Sequence, residues 1–329
     1  MVAALTCARS TFPSVGRYRA DEDPALIVVK TWSAGEYGPD RRPRGILQIN
    51  HGMTEHIDRY DHFAKTIAAR GWLVVGMDFI GHGDSAPEPD QLGHAGVALP
   101  PGRNVFVEDM GELRRLTQQQ WPDLPYVMFG HSMGSFVLRA YLAERAAGLA
   151  GAILCGTGTQ PQALLQGVRG VLGRLERARL VDHRSALFDR LTVGANNKPF
   201  EVRGQARTPF EWLNRDAAQV DLYMADPRCG FSFTLSADFA LMDAFAKAES
   251  KSAYHGLPPD LPLLIVSGSD DPVGAQGRGP RQVAAAYRAA GVGRVHLKLY
   301  PGARHEILHE LNRDEVEGDI ADWLDERAV

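Results

Sequence analysis

The hydrophobic pattern along the chain alternates between short apolar runs and longer segments with helical spacing. Apolar runs bounded by turn residues predict buried strands at 25–32, 45–50, 72–77, 126–130, 151–155, 261–267 and 295–300. Apolar residues recur at helical spacing over 57–70, 105–120, 280–290 and 312–327. Strands that are apolar throughout, rather than alternating with polar residues, indicate a mostly parallel central sheet with helices on both faces. The predicted fold class is therefore α/β.

One segment does not follow this alternation. Residues 159–235 lie between the strand predicted at 151–155 and the strand predicted at 261–267, and they combine helical runs with several aromatic side chains. An insertion of this size at this place predicts a helical cap, or lid, over a site at the strand ends. Residues 1–158 and 236–329 would then form a single α/β core.

A serine marks the point where the strand at 126–130 gives way to a helix. Ser132 lies between Gly130 and Gly134, each two residues away. A serine on such a sharp strand-to-helix turn needs small neighbours, because a Cβ at either position would collide with the turn. The alternative is a helix-capping serine in a glycine-rich turn. The strand before and the helix after favour Ser132 as a nucleophile, with the helix N-terminus directed at the same point.

A serine nucleophile requires a base to take its proton and an acid to orient that base. In a parallel sheet both should follow strands downstream of the serine, the acid before the histidine. His305 follows the last predicted strand and is the predicted base. Asp270 and Asp271 follow the strand before it, and Asp271 is favoured because Pro272 biases its predecessor towards an extended conformation. An exchange of roles between these two carboxyl groups stays open.

Two backbone N–H groups would complete the site. The segment that follows the strand at 45–50 begins His51-Gly52-Met53, and the N–H groups of Met53 and Met133 are the predicted oxyanion hole. His51 is predicted to be structural, bonding through both ring nitrogens. Apolar side chains of the cap and of the elbow helix are candidates to line an acyl pocket, although they could equally be core. They are Phe136, Leu164, Leu165, Phe210 and Trp212.

Composition excludes several other classes of protein. The chain has 329 residues and a formal net charge of −4, which argues against electrostatic binding to nucleic acid or to anionic membranes. Its three cysteines are far apart in sequence and predict free thiols in a reducing compartment rather than a metal site. No signal peptide or bilayer-spanning run is recognisable, so we expect a soluble, cytoplasmic protein. Gly81-His82-Gly83 lacks the third glycine of a dinucleotide fingerprint, and we expect no cofactor and no metal.

Taken together, the motifs resemble those of α/β-hydrolases of the monoacylglycerol lipase and lysophospholipase (serine aminopeptidase-like) branch. The segments that carry the resemblance are 51–56, 78–85, 130–134, 268–272 and 302–305. The resemblance implies the α/β-hydrolase fold with a cap at about 159–235, no cofactor, and hydrolysis of acyl esters. It places Asp271 and His305 at the family's acid and histidine positions.

The substrate class remains open at this point. Monoacylglycerol or lysophospholipid is the expected substrate, reached through transient contact with lipid surfaces. A short-chain carboxylesterase, or an amide or peptide hydrolase, would use the same triad. A non-catalytic binding protein on this fold is the remaining alternative, and the sequence does not indicate an oligomeric state.

Overall fold

A computed structural model of the protein describes residues 5–35, 37, 42–97, 99–100, 102–177, 182–186, 189 and 193–327. In this part of the chain the strands are β1 (Thr6–Pro13), β2 (Leu26–Ser33), β3 (Ile46–Asn50), β4 (Leu73–Met77), β5 (Tyr126–His131), β6 (Gly151–Cys155), β7 (Leu263–Gly268) and β8 (Val295–Tyr300). They form one eight-stranded sheet in the order β1-β2-β4-β3-β5-β6-β7-β8. The strands from β3 to β8 are parallel, whereas β1 and β2 pair antiparallel. The predicted, mostly parallel sheet is confirmed.

Helices pack on both faces of this sheet. The described helices are α1 (Asp61–Ala69), α2 (Val105–Gln120), α3 (Met133–Arg145), α4 (Gln162–Arg177), α5 (Lys198–Val202), α6 (Ala217–Ala225), α7 (Leu235–Ala248), α8 (Lys251–His255), α9 (Arg278–Ala289) and α10 (Arg313–Asp325). Apolar side chains of α1 and α10 pack on one face, and those of α2, α3, α7 and α9 pack on the other. The α/β-hydrolase fold is thereby confirmed. Among the described helices, none has the length and apolar character needed to cross a membrane.

Strand β5 shows why the central strands are apolar at every position. Tyr126 and Met128 belong to the core cluster on one face of the sheet, and Val127 and Phe129 belong to the cluster on the other face. Successive side chains of a strand point to opposite faces, so a strand covered on both faces has no solvent-facing position. The continuous apolar run is the sequence signature of this double burial.

The structure differs from the sequence-based expectation at two places near the amino terminus. Strand β1 was not predicted, because it lies at the sheet edge and most of its side chains are exposed, so it carries no burial pattern. The helix predicted over 57–70 is divided into a 3₁₀ turn, Ile57–Tyr60, followed by α1. Elsewhere the predicted and observed boundaries agree within about two residues, which is the usual uncertainty of helix and strand ends.

The segment predicted as a cap contains α4, α5 and α6 and leads into α7, which packs against both α3 and α4. Helix α7 begins at Leu235, the last residue assigned to the cap, so the exact boundary stays a prediction. Arg139 of α3 connects this region to the neighbouring helices through hydrogen bonds. Its guanidinium donates to the carbonyl of Gly158 (2.8 Å), to the carbonyl of Ala248 (3.2 Å) and to the hydroxyl of Tyr254 (2.7 Å). The helix that follows Ser132 is thus tied to the residue before the predicted insertion, to the end of α7 and to α8.

Candidate active site

The turn between β5 and α3 holds Ser132 in a strained conformation. Ser132 has φ 50° and ψ −119°, a backbone geometry that non-glycine residues rarely adopt. A Cβ on Gly130 would lie 2.4 Å from the carbonyl oxygen of Gly134, and a Cβ on Gly134 would lie 2.3 Å from the carbonyl oxygen of Asn50. The close backbone approach on both sides of Ser132 therefore explains the two glycines.

We expect Gly134→Ala to lower the free energy of unfolding by about 1–3 kcal/mol, because the added methyl group would have to displace the backbone of β3. Gly318 of α10 provides a matched control, since a Cβ there meets no atom within 4 Å. Gly318→Ala should raise the free energy of unfolding by about 0.5–1 kcal/mol, the usual difference between glycine and alanine inside a helix. Urea unfolding monitored by circular dichroism measures both. Equal effects of the two substitutions would contradict this interpretation.

His305 and Asp271 are in direct contact. The Nδ1 atom of His305 lies 3.0 Å from Oδ1 of Asp271, and both side chains are buried. The N–H of Val273 donates to Oδ1 of Asp271 (2.9 Å), and the hydroxyl of Ser267 donates to Oδ2 (3.1 Å). Burial by itself would raise the pKa of Asp271, but His305 and these hydrogen bonds hold the pKa below its usual value. The carboxylate is therefore ionised at neutral pH and fixes the ring of His305.

The neighbouring carboxyl group points elsewhere. Asp270 accepts a hydrogen bond from Arg203 at 2.8 Å, and its side chain is 30% exposed. Of the two carboxyl groups that the sequence left open, the structure brings Asp271 to His305 and leaves Asp270 at the surface.

His305 and Ser132 both lie at the carboxyl end of β6. The backbone N–H of Ser132 donates to the carbonyl of Cys155 (3.0 Å), and a Cβ on Gly156 would lie 3.0 Å from Cε1 of His305. The Nε2 atom of His305 is buried and has no hydrogen-bond partner among the described residues. One ring nitrogen is thus engaged by Asp271 and the other is available at the site.

The two predicted oxyanion donors also lie beside Ser132. Met133 is the first residue of α3, and a Cβ on Gly52, the residue before Met53, would lie 3.3 Å from Cβ of Ser132. Neither the Met53 N–H nor the Met133 N–H donates to any part of the chain that the structure describes. The N–H of Gly52 is already engaged, because it donates to Oε1 of Glu55 at 2.5 Å.

His51, at the start of the same loop, makes structural contacts. Its Nε2 atom accepts a hydrogen bond from the N–H of Phe79 (3.1 Å), and its Nδ1 atom lies 2.7 Å from the carbonyl oxygen of Gly52. Burial lowers the pKa of His51 to about 4, so the ring is neutral. Both ring nitrogens are used, as the sequence analysis predicted.

The predicted pocket residues fall into two groups. The ring of Trp212 packs against the ring of His305, with centroids 5.1 Å apart, and Phe210 lies in the same hydrophobic cluster as Trp212, against Tyr223. Phe136 and Leu165 belong instead to the large core that includes Met133. The side chain of Leu164 lies outside the described part of the structure. The structure therefore brings Trp212 to the histidine and places Phe136 one turn after Ser132.

A chain of buried charges behind His305 was missed by the sequence analysis. Nδ1 of His131 lies 3.1 Å from Oε1 of Glu55, whose Oε2 accepts from Arg59 at 2.7 Å. Arg59 also donates to both carboxylate oxygens of Glu306, at 2.5 and 2.8 Å. Burial by itself would raise the pKa of Glu55, but His131 and Arg59 hold the pKa well below its usual value. A usable signal was the spacing of Glu55 and Arg59 by four residues, typical of an ion pair on one helical turn.

One group of potential metal ligands occurs among the described residues. Ligand atoms of His56, Asp226 and Cys229 lie within 4.8 Å of one another. Nε2 of His56 already bonds to Asp226 (2.8 Å), and Arg228 forms an ion pair with the same carboxylate at 3.4 Å. Burial raises the pKa of the Cys229 thiol, which opposes the thiolate that a metal would need. These contacts describe a hydrogen-bonded cluster rather than an open coordination site.

The chain is similar to several known proteins over most of its length. The chain is 28% identical to a monoacylglycerol lipase of Mycolicibacterium smegmatis, over 98% of this chain and 99% of that protein. It is 26% identical to a monoglyceride lipase of Mus musculus, over 88% and 85% of the two chains. Among solved structures, it is similar to a thermostable carboxyl esterase from Bacillus coagulans in complex with glycerol. That comparison has a TM-score of 0.86 and 30% identity and covers 98% of this chain and 99% of the esterase.

A family model also matches most of the chain. The model described as serine aminopeptidase, S33, matches residues 41–312. This range begins before β3 and ends after β8, so it includes the turn at Ser132 and the contact between Asp271 and His305. The chain therefore belongs to the serine aminopeptidase S33 family of α/β-hydrolases and resembles its monoacylglycerol lipase members.

Proposed function

We propose that this protein is a serine hydrolase that cleaves carboxylic acyl esters of monoacylglycerol or lysophospholipid through an acyl-enzyme on Ser132. The observation that carries the proposal is the different surroundings of the two ring nitrogens of His305. Its Nδ1 is bound to an ionised Asp271, and its Nε2 is buried with no partner among the described residues, at the strand end that also holds Ser132. A histidine held in this way acts as a base towards a neighbouring hydroxyl.

In the first step the Oγ of Ser132 attacks the ester carbonyl while Nε2 of His305 takes the hydroxyl proton. Asp271 holds the Nδ1–H and stabilises the imidazolium that forms. The negative charge on the carbonyl oxygen is received by the N–H groups of Met53 and Met133, each contributing about 3–4 kcal/mol to stabilising the transition state. His305 then gives its proton to the leaving alcohol, and the acyl group remains on Ser132.

In the second step His305 takes a proton from water, and the resulting nucleophile attacks the acyl-enzyme. Collapse of the tetrahedral intermediate returns the proton to Ser132 and releases the fatty acid. The same donors and the same base therefore serve both halves of the reaction. Apart from this water, the chain's own residues supply every group that the mechanism uses.

Three further features support a lipid-like substrate and its setting. The cap proposed at 159–235 brings the apolar ring of Trp212 against His305, as expected for a pocket that excludes water from an acyl chain. The relatives named above are monoacylglycerol lipases and an esterase. The cysteines Cys7, Cys155 and Cys229 are free thiols, which favours a reducing, cytoplasmic location. We propose that the protein reaches its substrate by transient contact with lipid surfaces.

A substrate series tests this function. We expect p-nitrophenyl octanoate and palmitate, monoacylglycerol and lysophospholipid to be hydrolysed faster, in kcat/KM, than p-nitrophenyl acetate, because only the longer chains bury apolar surface in the site. Comparison of the two lipids identifies the leaving group. Turnover of acetate or butyrate alone would exclude the lipid substrate while leaving the triad in place.

The same experiment distinguishes the two rival functions. Aminoacyl p-nitroanilides measure the peptidase activity that the family's description suggests, and preferential turnover of these amides would replace the esterase proposal. A fluorophosphonate that reacts with activated serines tests for catalysis of any kind. If no substrate is hydrolysed and Ser132 is not labelled, a binding protein on this fold becomes the better interpretation.

A further inference from the structure

The residue immediately before Ser132 is a buried histidine whose surroundings the proposed mechanism does not explain. His131, the last residue of β5, is buried, and its ring packs against the ring of His305 with centroids 4.8 Å apart and planes at 44°. The proposed mechanism gives His131 no part in proton transfer. Its hydrogen-bond partners nevertheless restrict its charge.

Both ring nitrogens of His131 face acceptors. Nδ1 lies 3.1 Å from Oε1 of Glu55 and 2.9 Å from the hydroxyl oxygen of Tyr60. Tyr60 uses its own hydrogen on Glu55 (2.8 Å), so towards His131 its oxygen can only accept. Nε2 lies 3.4 Å from the carbonyl oxygen of His305. A neutral imidazole carries one N–H group, whereas an imidazolium carries two. Donating to acceptors at both Nδ1 and Nε2 requires two N–H groups.

We propose that His131 is an imidazolium at neutral pH and that its ion pair with Glu55 is a positioning device for the catalytic loops. This inference rests on the hydrolase function proposed above. His131 is a positioning residue rather than a catalytic one, because it acts through His305 and the oxyanion loop.

The pair joins the loops that carry the proposed chemistry. Oε1 of Glu55 accepts a hydrogen bond from the N–H of Gly52, the residue before the proposed donor Met53. His131 precedes Ser132 directly and donates to the carbonyl of His305. One imidazolium–carboxylate contact therefore fixes the oxyanion loop, the nucleophile turn and the histidine loop relative to one another. An error of about 1 Å in such a set can cost 100-fold in rate.

The surroundings of the pair favour the charged form. The titratable groups around His131 and Glu55 are His51, His56, Arg59, Tyr60, His82, Cys155, Cys229, His305, Glu306 and His309. Of these, Arg59 and Glu306 continue the ion-pair chain and carry opposite charges. Burial raises the pKa values of Tyr60 and Cys155, which keeps both neutral, and burial lowers the pKa of His51, which keeps that ring neutral too. Alternating charges thus run from His131 through Glu55 and Arg59 to Glu306.

The pH dependence follows from the direction of the shift. Burial by itself would lower the pKa of His131, but Glu55 reverses this and holds the pKa above its usual value. Because the pKa of His131 is raised, its ion pair with Glu55 is complete at lower pH. The ion pair is lost as the pH rises through the pKa of His131 in the folded protein. We therefore expect kcat to decline on the alkaline side as His131 loses one N–H and with it one of its two contacts.

The charge state can be measured directly on the whole protein. Two-dimensional ¹⁵N–¹H correlation of the histidine rings at neutral pH should show both nitrogens of His131 protonated. His131→Gln identifies the resonance by removing it. A single protonated nitrogen in the wild type would overturn the inference, whether or not the variant folds.

Kinetics test the positioning role. We expect His131→Gln and Glu55→Gln each to lower kcat about 10- to 100-fold with little change in KM, and to abolish the alkaline decline. The double variant should lose no more than the worse single variant, since both substitutions break the same contact. His62→Gln is a matched control, because His62 also contacts a glutamate (Glu317, 2.8 Å) but is half-exposed on α1. Additive losses, or an unchanged pH profile in His131→Gln, would contradict positioning.

Failure of this inference can be separated from failure of the proposed function. An active hydrolase with a neutral His131 would overturn the inference alone. A wild-type protein that hydrolyses no ester and is not labelled at Ser132 would overturn the function and the positioning role together.

Discussion

Ser132→Ala is expected to lower kcat for acyl-ester hydrolysis by about 10⁶-fold, the loss seen when a triad nucleophile is removed. Without Oγ no acyl-enzyme can form, and His305 has no hydroxyl from which to take a proton. The strained φ of 50° at this position has no evident structural benefit, which is typical of residues held in place for chemistry. Burst kinetics with a p-nitrophenyl ester and labelling by a fluorophosphonate both measure the effect.

Ser135 provides the matched control for this substitution. It lies on the next turn of α3, and its hydroxyl donates to the backbone carbonyl of Ser132 at 2.7 Å. Ser135→Ala should therefore lose one hydrogen bond of about 1 kcal/mol, which corresponds to less than tenfold in rate. Comparable losses in Ser132→Ala and Ser135→Ala would show that the turn matters only for folding and would contradict the nucleophile assignment.

Asp271→Asn is expected to lower kcat by about 10⁴-fold with little change in the fold. An asparagine amide can donate to Nδ1 of His305 and so favours the tautomer in which Nε2 carries the proton and cannot act as a base. It also removes the charge that stabilises the imidazolium. Because the pKa of Asp271 is held below its usual value, the wild-type carboxylate is ionised over the whole neutral range, and the loss should be similar throughout it.

The adjacent carboxyl group is the control for the acid. Asp270 forms an ion pair with Arg203 at 2.8 Å and is partly exposed, so Asp270→Asn should change kcat by less than about threefold, as expected for a surface ion pair. The two variants differ by one position in sequence and remove the same charge. If Asp270→Asn abolished activity and Asp271→Asn did not, the roles of the two carboxyl groups would be the reverse of those proposed here.

Much of the fold could be predicted because its signals are local. The strand ending at Gly130 and the helix beginning at Met133 follow from an apolar run and from helical spacing, and each is buried as expected. Strand β1 could not be predicted in the same way, because its exposed side chains give no pattern and its pairing with β2 depends on an edge that only the folded sheet provides.

The residues that we propose to react could be predicted from the sequence. Ser132, Asp271 and His305 follow from a turn motif and from a rule of parallel sheets, that strand ends meet at one edge. The motif and the rule both depend only on the order of residues along the chain, so the three residues could be predicted from the sequence. The contact at 3.0 Å between His305 and Asp271 belongs to the tertiary structure, and with it the distinction from Asp270.

The surroundings of those residues depend on contacts between parts of the chain that are distant in sequence. Trp212 reaches His305 from the inserted region, and Glu55 and Glu306 meet through Arg59 although they are far apart in sequence. Ionised groups are buried only where partners offset the loss of hydration, and those partners come from separate loops of the folded chain. Apart from the four-residue spacing of Glu55 and Arg59, no periodicity or local motif encodes these pairings. The charge of His131 could therefore be inferred only once the acceptors at both of its ring nitrogens were in place.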